Sequence, residues 1–497
     1  MDSAELEPDV SLFALEQQLA RDLDVLGRPP ANWTAPVAGP DGALMRDVLI
    51  VGGAVLGLAA AAALIFRGIR NIEVLDRAPA GREGIWTTTA RMPHLRSPKG
   101  LPGLSMGMAT LTFRAWFTAA HGQAAWDALY KFPTADWQSY LVWFRRVLAL
   151  PVRNEVTVHA ILPRDGFLEV ETSEGPVFAR RVVLATGGRG SAAAAVIPQG
   201  IARSLWPDRA AHTGEVIDFM RLAGKRVAVV GGSASAWDNA GAALEAGAER
   251  VDLYVRRPAL RQVNRWVPLL TTQGFFEGWP SLPMEDRWAL SVLLLRDEQT
   301  TPPHESVRRA IAHDNFAVHL ASPILSAEPE GNAVALSIGP APGRVAAADF
   351  LILGTGFDMN PARMPELAAF MPHVATWADR YTPPPDRAWP ALGRLAYLDE
   401  GFGLIERVPG ACPEAGFVHL FNFGAFASLG VLGSEIAGAT PGAERLAGRI
   451  AATLAREDVA HLRGLIDQFD QPELIGTPFH VPEAITSSRK AATSATA

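Results

Sequence analysis

VLIVGGAVLGLAAAAALIFRGIRNIEVLD, residues 48–76, has the pattern of a short apolar strand, a glycine turn, a helix of small residues and a second strand. Such a βαβ unit binds the pyrophosphate of a dinucleotide at the N-terminus of its helix. Gly52 permits the tight turn and Gly57 permits close packing of the helix on the strand, but Ala54 replaces the middle glycine of G-x-G-x-x-G. Asp76 ends the second strand, where a carboxylate accepts hydrogen bonds from ribose hydroxyls. The segment predicts a dinucleotide site in which the Ala54 methyl group narrows the approach to the pyrophosphate.

The same pattern recurs without gaps at residues 227–255, VAVVGGSASAWDNAGAALEAGAERVDLYV. Its glycine positions are occupied by Gly231, Ser233 and Ala236. A single motif of this kind is a weak signal. Two copies in one chain predict two dinucleotides, and two dinucleotides predict electron transfer between them.

The ribose position differs between the two copies. In the ungapped alignment Asp76 corresponds to Val255, which is followed by Arg256 and Arg257. Without a carboxylate at this point nothing repels a 2′-phosphate, and an arginine pairs well with one. The second copy therefore favours NADPH over NADH; an ordinary solvated arginine pair is the alternative.

The composition is typical of a large globular protein that needs no polyanionic partner. The chain has 497 residues, 48% of them hydrophobic and 20% charged, and a net charge of −7. No basic stripe predicts binding of nucleic acid. The N-terminus lacks the pattern of a signal peptide, and the longest apolar run, 54–66, is shorter than the roughly 20 residues that span a bilayer. We therefore expect a soluble protein without a membrane partner.

The single cysteine, Cys412, excludes an intramolecular disulfide and a CxxC redox centre. This fits a cytoplasmic location, where thiols stay reduced. The histidines have no metal-ligand spacing, so no metal site is predicted.

Helical patterns surround the two motifs. Leucines at helical spacing between Leu12 and Leu26 predict an N-terminal helix that packs on the body of the protein. The aromatic-rich segment 110–151 predicts helices that either fill the core or line a substrate pocket. A C-terminal helix is predicted from Pro441 to about Arg456.

The fold class that these patterns predict is α/β, with two Rossmann-like dinucleotide-binding domains and additional helical segments. The NADPH domain is inserted in the FAD domain, because LATG at 184–187 and LGTG at 353–356 close the two halves in the same way. The predicted divisions are an N-terminal helical extension (1–45), the first part of the FAD domain (46–190), an NADPH domain with a helical insertion (191–340), the second part of the FAD domain (341–485) and a tail (486–497).

The order of the motifs resembles the class B flavoprotein monooxygenases, which include flavin-containing, Baeyer–Villiger and N-hydroxylating monooxygenases. Their pattern places a first glycine motif before G-x-W (84–86), A-T-G (185–187), a second glycine motif and T-G-F (355–357). The resemblance implies that NADPH reduces FAD, that O2 then forms a C4a-(hydro)peroxyflavin, and that one oxygen atom passes to a small organic substrate. Nitrogen, sulfur, carbonyl carbon and ring carbon are all left open as the atom oxidised.

The resemblance also implies site residues. FAD contacts are expected at Gly52, Gly53, Ala54, Gly57, Asp76, Arg77 and Trp86. NADPH contacts are expected at Gly231, Ser233, Ser235, Arg256 and Arg257, and crossover segments between the domains at Thr186, Gly187, Gly354, Thr355 and Gly356. As catalytic residues we predict Arg91 and Arg96, which would stabilise the oxygen adduct, and Asn422, which would contact the flavin edge.

One stretch narrows the resemblance further. ARMPHLRSPKGLPG at 90–103, followed by LTFRAW, is similar to a bacterial group of FAD/NAD(P)-binding oxidoreductases that is associated with flavin-dependent urate hydroxylation. A urate-like heterocycle is therefore among the expected substrates.

Two other functions remain open at this point. The first is an NAD(P)H-dependent flavin reductase or oxidase that passes electrons to a partner protein or to O2 without oxygen insertion. The second is a degenerate nucleotide-binding protein, for which Ala54 is the best support. The sequence does not decide between a monomer and a homo-oligomer.

Overall fold

The computed structural model describes residues 8–187, 194–297, 301–340 and 343–480. The strands are β1 (Arg46–Val51), β2 (Ile72–Leu75), β3 (Val152–Arg153), β4 (Val158–Arg164), β5 (Phe167–Thr172), β6 (Gly175–Leu184), β7 (Ala194–Ala195), β8 (Ala210–His212), β9 (Arg226–Val230), β10 (Arg250–Tyr254), β11 (Phe316–His319), β12 (Ile324–Glu330), β13 (Ala333–Ile338), β14 (Arg344–Ala348), β15 (Phe350–Leu353), β16 (Phe357–Asp358) and β17 (Val418–His419).

Helices connect and flank these strands. They are α1 (Pro8–Val25), α2 (Val55–Ile65), α3 (Phe113–His121), α4 (Gln123–Ala128), α5 (Thr134–Val147), α6 (Ala234–Glu245), α7 (Trp266–Thr271), α8 (Gln273–Gly278), α9 (Met284–Val292), α10 (His304–Ile311), α11 (Trp377–Arg380), α12 (Pro390–Gly393), α13 (Phe426–Leu429), α14 (Ile436–Glu457) and α15 (Val459–Asp467), with short 3₁₀ segments between them.

The first motif forms the centre of a sheet with the order β3-β2-β1-β6-β5-β4, and β17 lies beside β6. β1 pairs in parallel with both β2 and β6, so that Val51 lies level with Leu75 and Leu184. The carboxyl ends of these strands therefore meet at one edge of the sheet. β4, β5 and β6 pair in antiparallel fashion as two successive hairpins.

The second motif forms a sheet of five parallel strands with the order β11-β10-β9-β15-β8. An apolar cluster with Trp237 fills one face of this sheet, and the antiparallel sheet β12-β13-β14 contributes Leu336 to the cluster on the other. Because β15 pairs with β9 and β8, residues 350–353 belong to the second sheet. We propose that the chain returns to the first domain at Gly354, later than the predicted division at 340.

The helical insertion after β10 packs on the first domain. Trp266 and Trp279 belong to the core cluster of that domain and both rings lie against Phe426, at centroid distances of 5.3 and 5.5 Å. Farther along the insertion, Trp288 packs on Trp377 at 6.1 Å. The insertion is therefore a bridge between the two nucleotide motifs.

The aromatic segment 110–151 fills the core, which was one of its two predicted roles. Trp137 and Phe144 are fully buried, and Phe132 stacks on both Phe113 and Trp137 at centroid distances of 3.9 and 5.8 Å. The predicted N-terminal helix is present as α1, whose Leu19 is buried in the same core.

The C-terminal helix α14 begins at Ile436, five residues before its predicted start at Pro441. The prediction of its start was wrong because a proline usually marks the first turn of a helix. Here packing stabilises an additional turn. A Cβ added at Gly438 or Gly442 would lie 2.1 Å from the carbonyl oxygens of Val431 and Leu432, so the backbones are in direct contact. The start of α14 then lies at the cavity, whose lining includes Glu435 and Ile436.

A buried ion cluster fixes the other end of α14. Arg180 on β6 donates to Asp47 on β1 at 3.1 Å and to Asp458 at the end of α14 at 2.7 Å. Asp458 also accepts a hydrogen bond from the backbone of Ala35 at 2.9 Å. The cluster therefore links the C-terminal end of α14 to strands β1 and β6 of the first sheet.

Across the described ranges, no single helix is both long enough and apolar enough to cross a bilayer. Two consecutive segments, 423–433 and 436–457, are together long and apolar enough by these criteria, but the chain bends by 96° between them.

Candidate active site

A single cavity of about 1110 Å³ lies between the carboxyl ends of the two sheets. Its walls include Gly52, Ala54 and Asp76 from the first motif and Gly231 and Arg256 from the second. Ligands of open α/β sheets bind at these strand ends, and the volume exceeds the range of about 300–1,000 Å³ that suits one drug-sized ligand. The two predicted dinucleotide sites therefore open into the same space.

The first motif has the backbone of a pyrophosphate site. Gly52 has a φ of +103°, and a Cβ at Gly57 would lie 1.7 Å from the Gly52 carbonyl oxygen, so no larger residue fits at Gly57. Ala54 is the N-cap of α2, and its side chain gives no hydrogen bond to the first turn. The free N–H groups of that turn suit an anion.

The Ala54 methyl group is accommodated by a second glycine. Gly84 has a φ of +78°, and a Cβ added there would lie 2.9 Å from the Cβ of Ala54. Because Gly84 has no side chain, there is room for the methyl group of Ala54, the residue that occupies the middle glycine position of the motif.

Asp76 lies where the ribose carboxylate was predicted. Its Oδ2 accepts a hydrogen bond from Gly53 N at 2.6 Å and its Oδ1 accepts one from Ala78 N at 2.7 Å. Each carboxylate oxygen has a second lone pair for a ribose hydroxyl. Asp76 is buried but lines the cavity, as does the neighbouring Arg77.

Trp86 lines the cavity and is supported from behind by the edge of Trp137 at 6.2 Å. The loop before it is held by Glu83, which the sequence analysis did not single out. The Glu83 carboxylate accepts hydrogen bonds from Arg145 and Asn154, both at 2.7 Å. This loop is therefore fixed before any ligand binds.

In the second motif, Gly231 approaches the crossover segment closely. A Cβ at Gly231 would lie 2.5 Å from the Gly354 carbonyl oxygen. Gly231 and Ser233 line the cavity, whereas Ser235, the second residue of α6, is outside the lining. The contact of Ser235 with NADPH stays a prediction.

Arg256 and Arg257 follow β10 after Val255 and line the cavity together with Arg261. Burial and the positive charges of Arg261 and Arg256 lower the pKa of Arg257. The positive charges of Arg256 and Arg261 thus act on Arg257, and Arg261 also donates to the backbone oxygen of Asp297.

The crossover segments lie at the cavity wall as predicted: Thr186, Gly187, Gly354, Thr355 and Gly356. Asn422 does not line the cavity; it is buried, donates from Nδ2 to Thr186 Oγ1 at 3.0 Å and accepts from Gly424 N at 2.9 Å. The predicted flavin-edge contact is thus replaced by a positioning role, because the amide is engaged in holding Thr186. Its neighbour Phe423 forms the wall instead.

Of the two predicted catalytic arginines, Arg96 lines the cavity and Arg91 does not. Arg91 is outside the lining, where its guanidinium donates to the backbone oxygens of Thr88 and Glu215 and lies 5.2 Å from the centre of the Phe219 ring. It was misplaced because sequence spacing does not show which way a loop side chain turns. Arg96 lines the cavity and donates to Asp238 on α6 at 3.0 Å.

Glu435 is the main cavity residue that the sequence analysis missed. It is the N-cap residue of α14, lines the cavity, and makes no side-chain capping bond. Burial raises the pKa of its carboxyl group to about 7, against the positive charge of Arg96, which lowers it. A signal for it existed: Glu435 is the only acidic residue between Phe417 and Ala443.

The residues present fit FAD at the first motif. A glycine turn without room for a Cβ, uncapped helical N–H groups, and a carboxylate with free lone pairs match pyrophosphate and ribose. Thr186, Phe423 and Ile436 continue this wall toward the second motif.

Comparison with known proteins agrees with this geometry. A family model described as pyridine nucleotide-disulphide oxidoreductase matches residues 49–281. The FAD-dependent urate hydroxylase of Xanthomonas campestris pv. campestris is 38% identical over 470 residues, which cover 94% of this chain and 98% of that protein.

Solved structures share the fold at low sequence identity. The ornithine hydroxylase of Pseudomonas aeruginosa superposes with a TM-score of 0.66 at 16% identity, covering 82% of this chain and 100% of that one. The ornithine N-hydroxylase of Kutzneria sp. 744 gives 0.65 at 16% identity, covering 82% and 99%. The flavin-containing monooxygenase of Stenotrophomonas maltophilia gives 0.54 at 21% identity, covering 82% and 98%.

This fold is shared with the flavin monooxygenases among the solved structures. The chain belongs to the family of the FAD-dependent urate hydroxylase, which it matches over nearly its whole length. It is a FAD-dependent monooxygenase. A disulfide reductase of the same fold would need a redox-active cysteine pair, and this chain has only Cys412.

Proposed function

We propose that this enzyme uses NADPH to reduce its FAD and then inserts one atom of O2 into a purine-like heterocycle such as urate. The observation that carries the proposal is the cavity shared by both nucleotide motifs, in a chain that aligns end to end with a urate hydroxylase.

The choice of NADPH rests on the arginines after β10. Arg256, Arg257 and Arg261 line the cavity, and no carboxylate occupies the position that corresponds to Asp76. A 2′-phosphate relieves the repulsion among these guanidinium groups, and a charge-assisted hydrogen bond to it is worth about 1.5–3 kcal/mol. NADH offers no such group.

A flat heterocycle suits the remaining wall. Apolar side chains of Trp266, Leu294, Met359 and Phe423 line the cavity between the two motifs. Among the polar residues of the cavity wall, Ser434 and Glu435 lie together at the start of α14. Apolar faces with a small set of polar groups are typical of a site that orients one planar ligand.

Bound FAD supplies the redox chemistry with O2. The protein supports it in three ways. The fixed loop around Glu83 holds Trp86 against the cavity. Asn422 holds the Thr186 crossover segment in place. The packed aromatic residues behind Trp86 keep water out of this side of the cavity, which limits wasteful release of peroxide.

The test is an oxygen balance with ¹⁸O2. Purified, FAD-loaded enzyme is given NADPH with urate, with other purines, or alone, and NADPH oxidation, O2 uptake, H2O2 and product are measured. We expect urate to stimulate NADPH oxidation at least about tenfold and each product molecule to carry one ¹⁸O atom. Stoichiometric H2O2 with every purine and no labelled product would favour the oxidase without oxygen insertion.

A further inference from the structure

The start of α14 carries two polar side chains with no assigned role. Ser434 Oγ is buried and makes no hydrogen bond within the described ranges of the chain. The Glu435 carboxyl group likewise has no hydrogen-bond or ion-pair partner among the described residues, and it gives no capping bond to α14. Buried polar groups are normally paired, so a hydroxyl and a carboxyl that face a cavity without partners indicate a ligand there.

The charged residues around the Glu435 carboxyl group determine how readily it holds a proton. The charged residues that line the cavity are Asp76 and Arg77 at the first motif, Arg256, Arg257 and Arg261 at the second, and Arg96, Glu366 and Glu435 itself. Of these, Arg96 is the charge that lowers the pKa of Glu435, against the effect of burial. Arg96 is already engaged with Asp238 at 3.0 Å, so it does not neutralise Glu435 fully.

The polar edge of a purine-like ring complements this pair. Such an edge alternates N–H donors with carbonyl acceptors. Glu435 offers acceptor oxygens, while the Ser434 hydroxyl and the first N–H groups of α14 offer donors. The 22 residues of α14 and its tight contact with Val431 and Leu432 hold these groups rigidly.

We propose that Glu435 is the base that removes a ring N–H proton from the heterocyclic substrate during oxygen insertion, with Ser434 orienting the ring. This inference rests on the proposed function. The proton passes from the ring nitrogen to a Glu435 carboxylate oxygen, and the N–H electron pair moves into the ring. A ring carbon then forms a bond to one atom of O2, the O–O bond breaks, and the second atom leaves as water. NADPH supplies the two electrons as a hydride, and the proton on Glu435 returns to the departing oxygen. The hydrogen of that hydride and one proton from solvent complete the water and the new hydroxyl group.

The shifted pKa suits this role. A base works best when its pKa is near the operating pH, and burial has raised the pKa of Glu435 to about 7. The turnover of substrate should therefore rise with pH through about 7, since only the deprotonated carboxylate accepts a proton.

The test compares wild type with Glu435→Gln, Glu435→Asp and Glu444→Gln. Glu444 lies on the same helix but is exposed, so it is the matched control. With urate we expect Glu435→Gln to lower kcat at least about 100-fold and to remove the rise in kcat/KM near pH 7, whereas Glu444→Gln should leave kcat, FAD content and NADPH-dependent flavin reduction within twofold. Glu435→Asp should recover part of the rate. An unchanged kcat and pH profile would overturn the inference, and so would parallel loss of FAD or of flavin reduction.

A second readout does not need turnover. The absorbance of the bound flavin, titrated from pH 5 to 9 without substrate, should show a transition near pH 7 in wild type and in Glu444→Gln but not in Glu435→Gln. If wild type fails to hydroxylate urate yet shows this transition, the proposed substrate is wrong and the base assignment stands. If the transition is identical in Glu435→Gln, the base assignment is wrong whatever the substrate.

Discussion

At the residue scale, the assignment of the second nucleotide depends on Arg256. Arg256 lies two residues beyond the end of β10 and lines the shared cavity. The sequence could place it there because the residues just after the second strand of a βαβ unit have a fixed position relative to the ribose. Its contact with NADPH stays a prediction.

Charge reversal of Arg256 tests this assignment. Arg256→Glu removes a guanidinium group from the proposed 2′-phosphate site and adds a repelling carboxylate. We expect the KM for NADPH to rise at least about tenfold, since about 1.4 kcal/mol corresponds to a factor of ten, while the KM for NADH changes less than about twofold. Steady-state kinetics with both nucleotides measures this.

The control for that experiment is Arg308→Glu. Arg308 is exposed on α10 and lies outside the cavity lining, so its reversal changes net charge equally without touching the site. Equal effects of Arg256→Glu on NADPH and NADH, or an equal effect of Arg308→Glu, would contradict the assignment.

A second residue-scale prediction concerns stability and pH. Burial lowers the pKa of His419 to about 4, and the Gly401 carbonyl oxygen lies 2.7 Å from its Nδ1. In the unfolded chain a histidine has a pKa of about 6.5. Between these values the unfolded state binds one more proton than the folded state, so the free energy of unfolding falls as the pH drops from about 6.5 toward 4.

His419→Gln removes this titration. We expect the slope of unfolding free energy against pH to become shallower between pH 6.5 and 4.5, by up to about 1.4 kcal/mol per pH unit. Urea unfolding at several pH values measures the slope, and His159→Gln, at an exposed position on β4, is the control. A slope that His419→Gln leaves unchanged would show that His419 is not held neutral.

At the element scale, strands and glycine turns were predicted well from sequence, and loops were not. β1, α2 and β2 follow the residue pattern closely because each residue of a βαβ unit has a fixed geometric role. The start of α14 was misjudged because contact between Gly438 and Val431 depends on tertiary packing. Arg91 was misplaced for a similar reason, since its side chain is fixed by the backbone of Glu215, far away in sequence.

The position of α14 is itself testable through Arg180. Arg180→Met leaves the buried carboxylates of Asp47 and Asp458 without their partner, and breaking a buried ion pair in this way costs about 3–5 kcal/mol. We expect a loss of about that size in urea unfolding followed by tryptophan fluorescence. Arg164→Met is the control, because its pair with Glu169 is largely exposed and worth less than about 1 kcal/mol. Equal losses in both variants would contradict a structural role for the cluster.

At the scale of the whole molecule, the sequence predicted two nucleotide sites that exchange electrons, but it did not predict which part of the chain holds the two sites side by side. The helical insertion has this role, because its tryptophans pack on the first domain while its ends belong to the second sheet. Apolar residues in short helices with prolines give little periodicity, so this docking had no clear sequence signal. The substrate end of the cavity, with Glu435, depends on the same long-range packing.

The most direct test of the account is hydride transfer without oxygen. FAD-loaded enzyme is mixed anaerobically in a stopped-flow instrument with NADPH that carries deuterium at either face of nicotinamide C4, and bleaching of the flavin is followed. Sites that share one cavity predict rapid bleaching, slowed at least about twofold by deuterium on one face only, since a bound nicotinamide exposes a single face to its acceptor. Bleaching no faster than that of free FAD, or equal isotope effects from both faces, would contradict a common cavity for the two nucleotides.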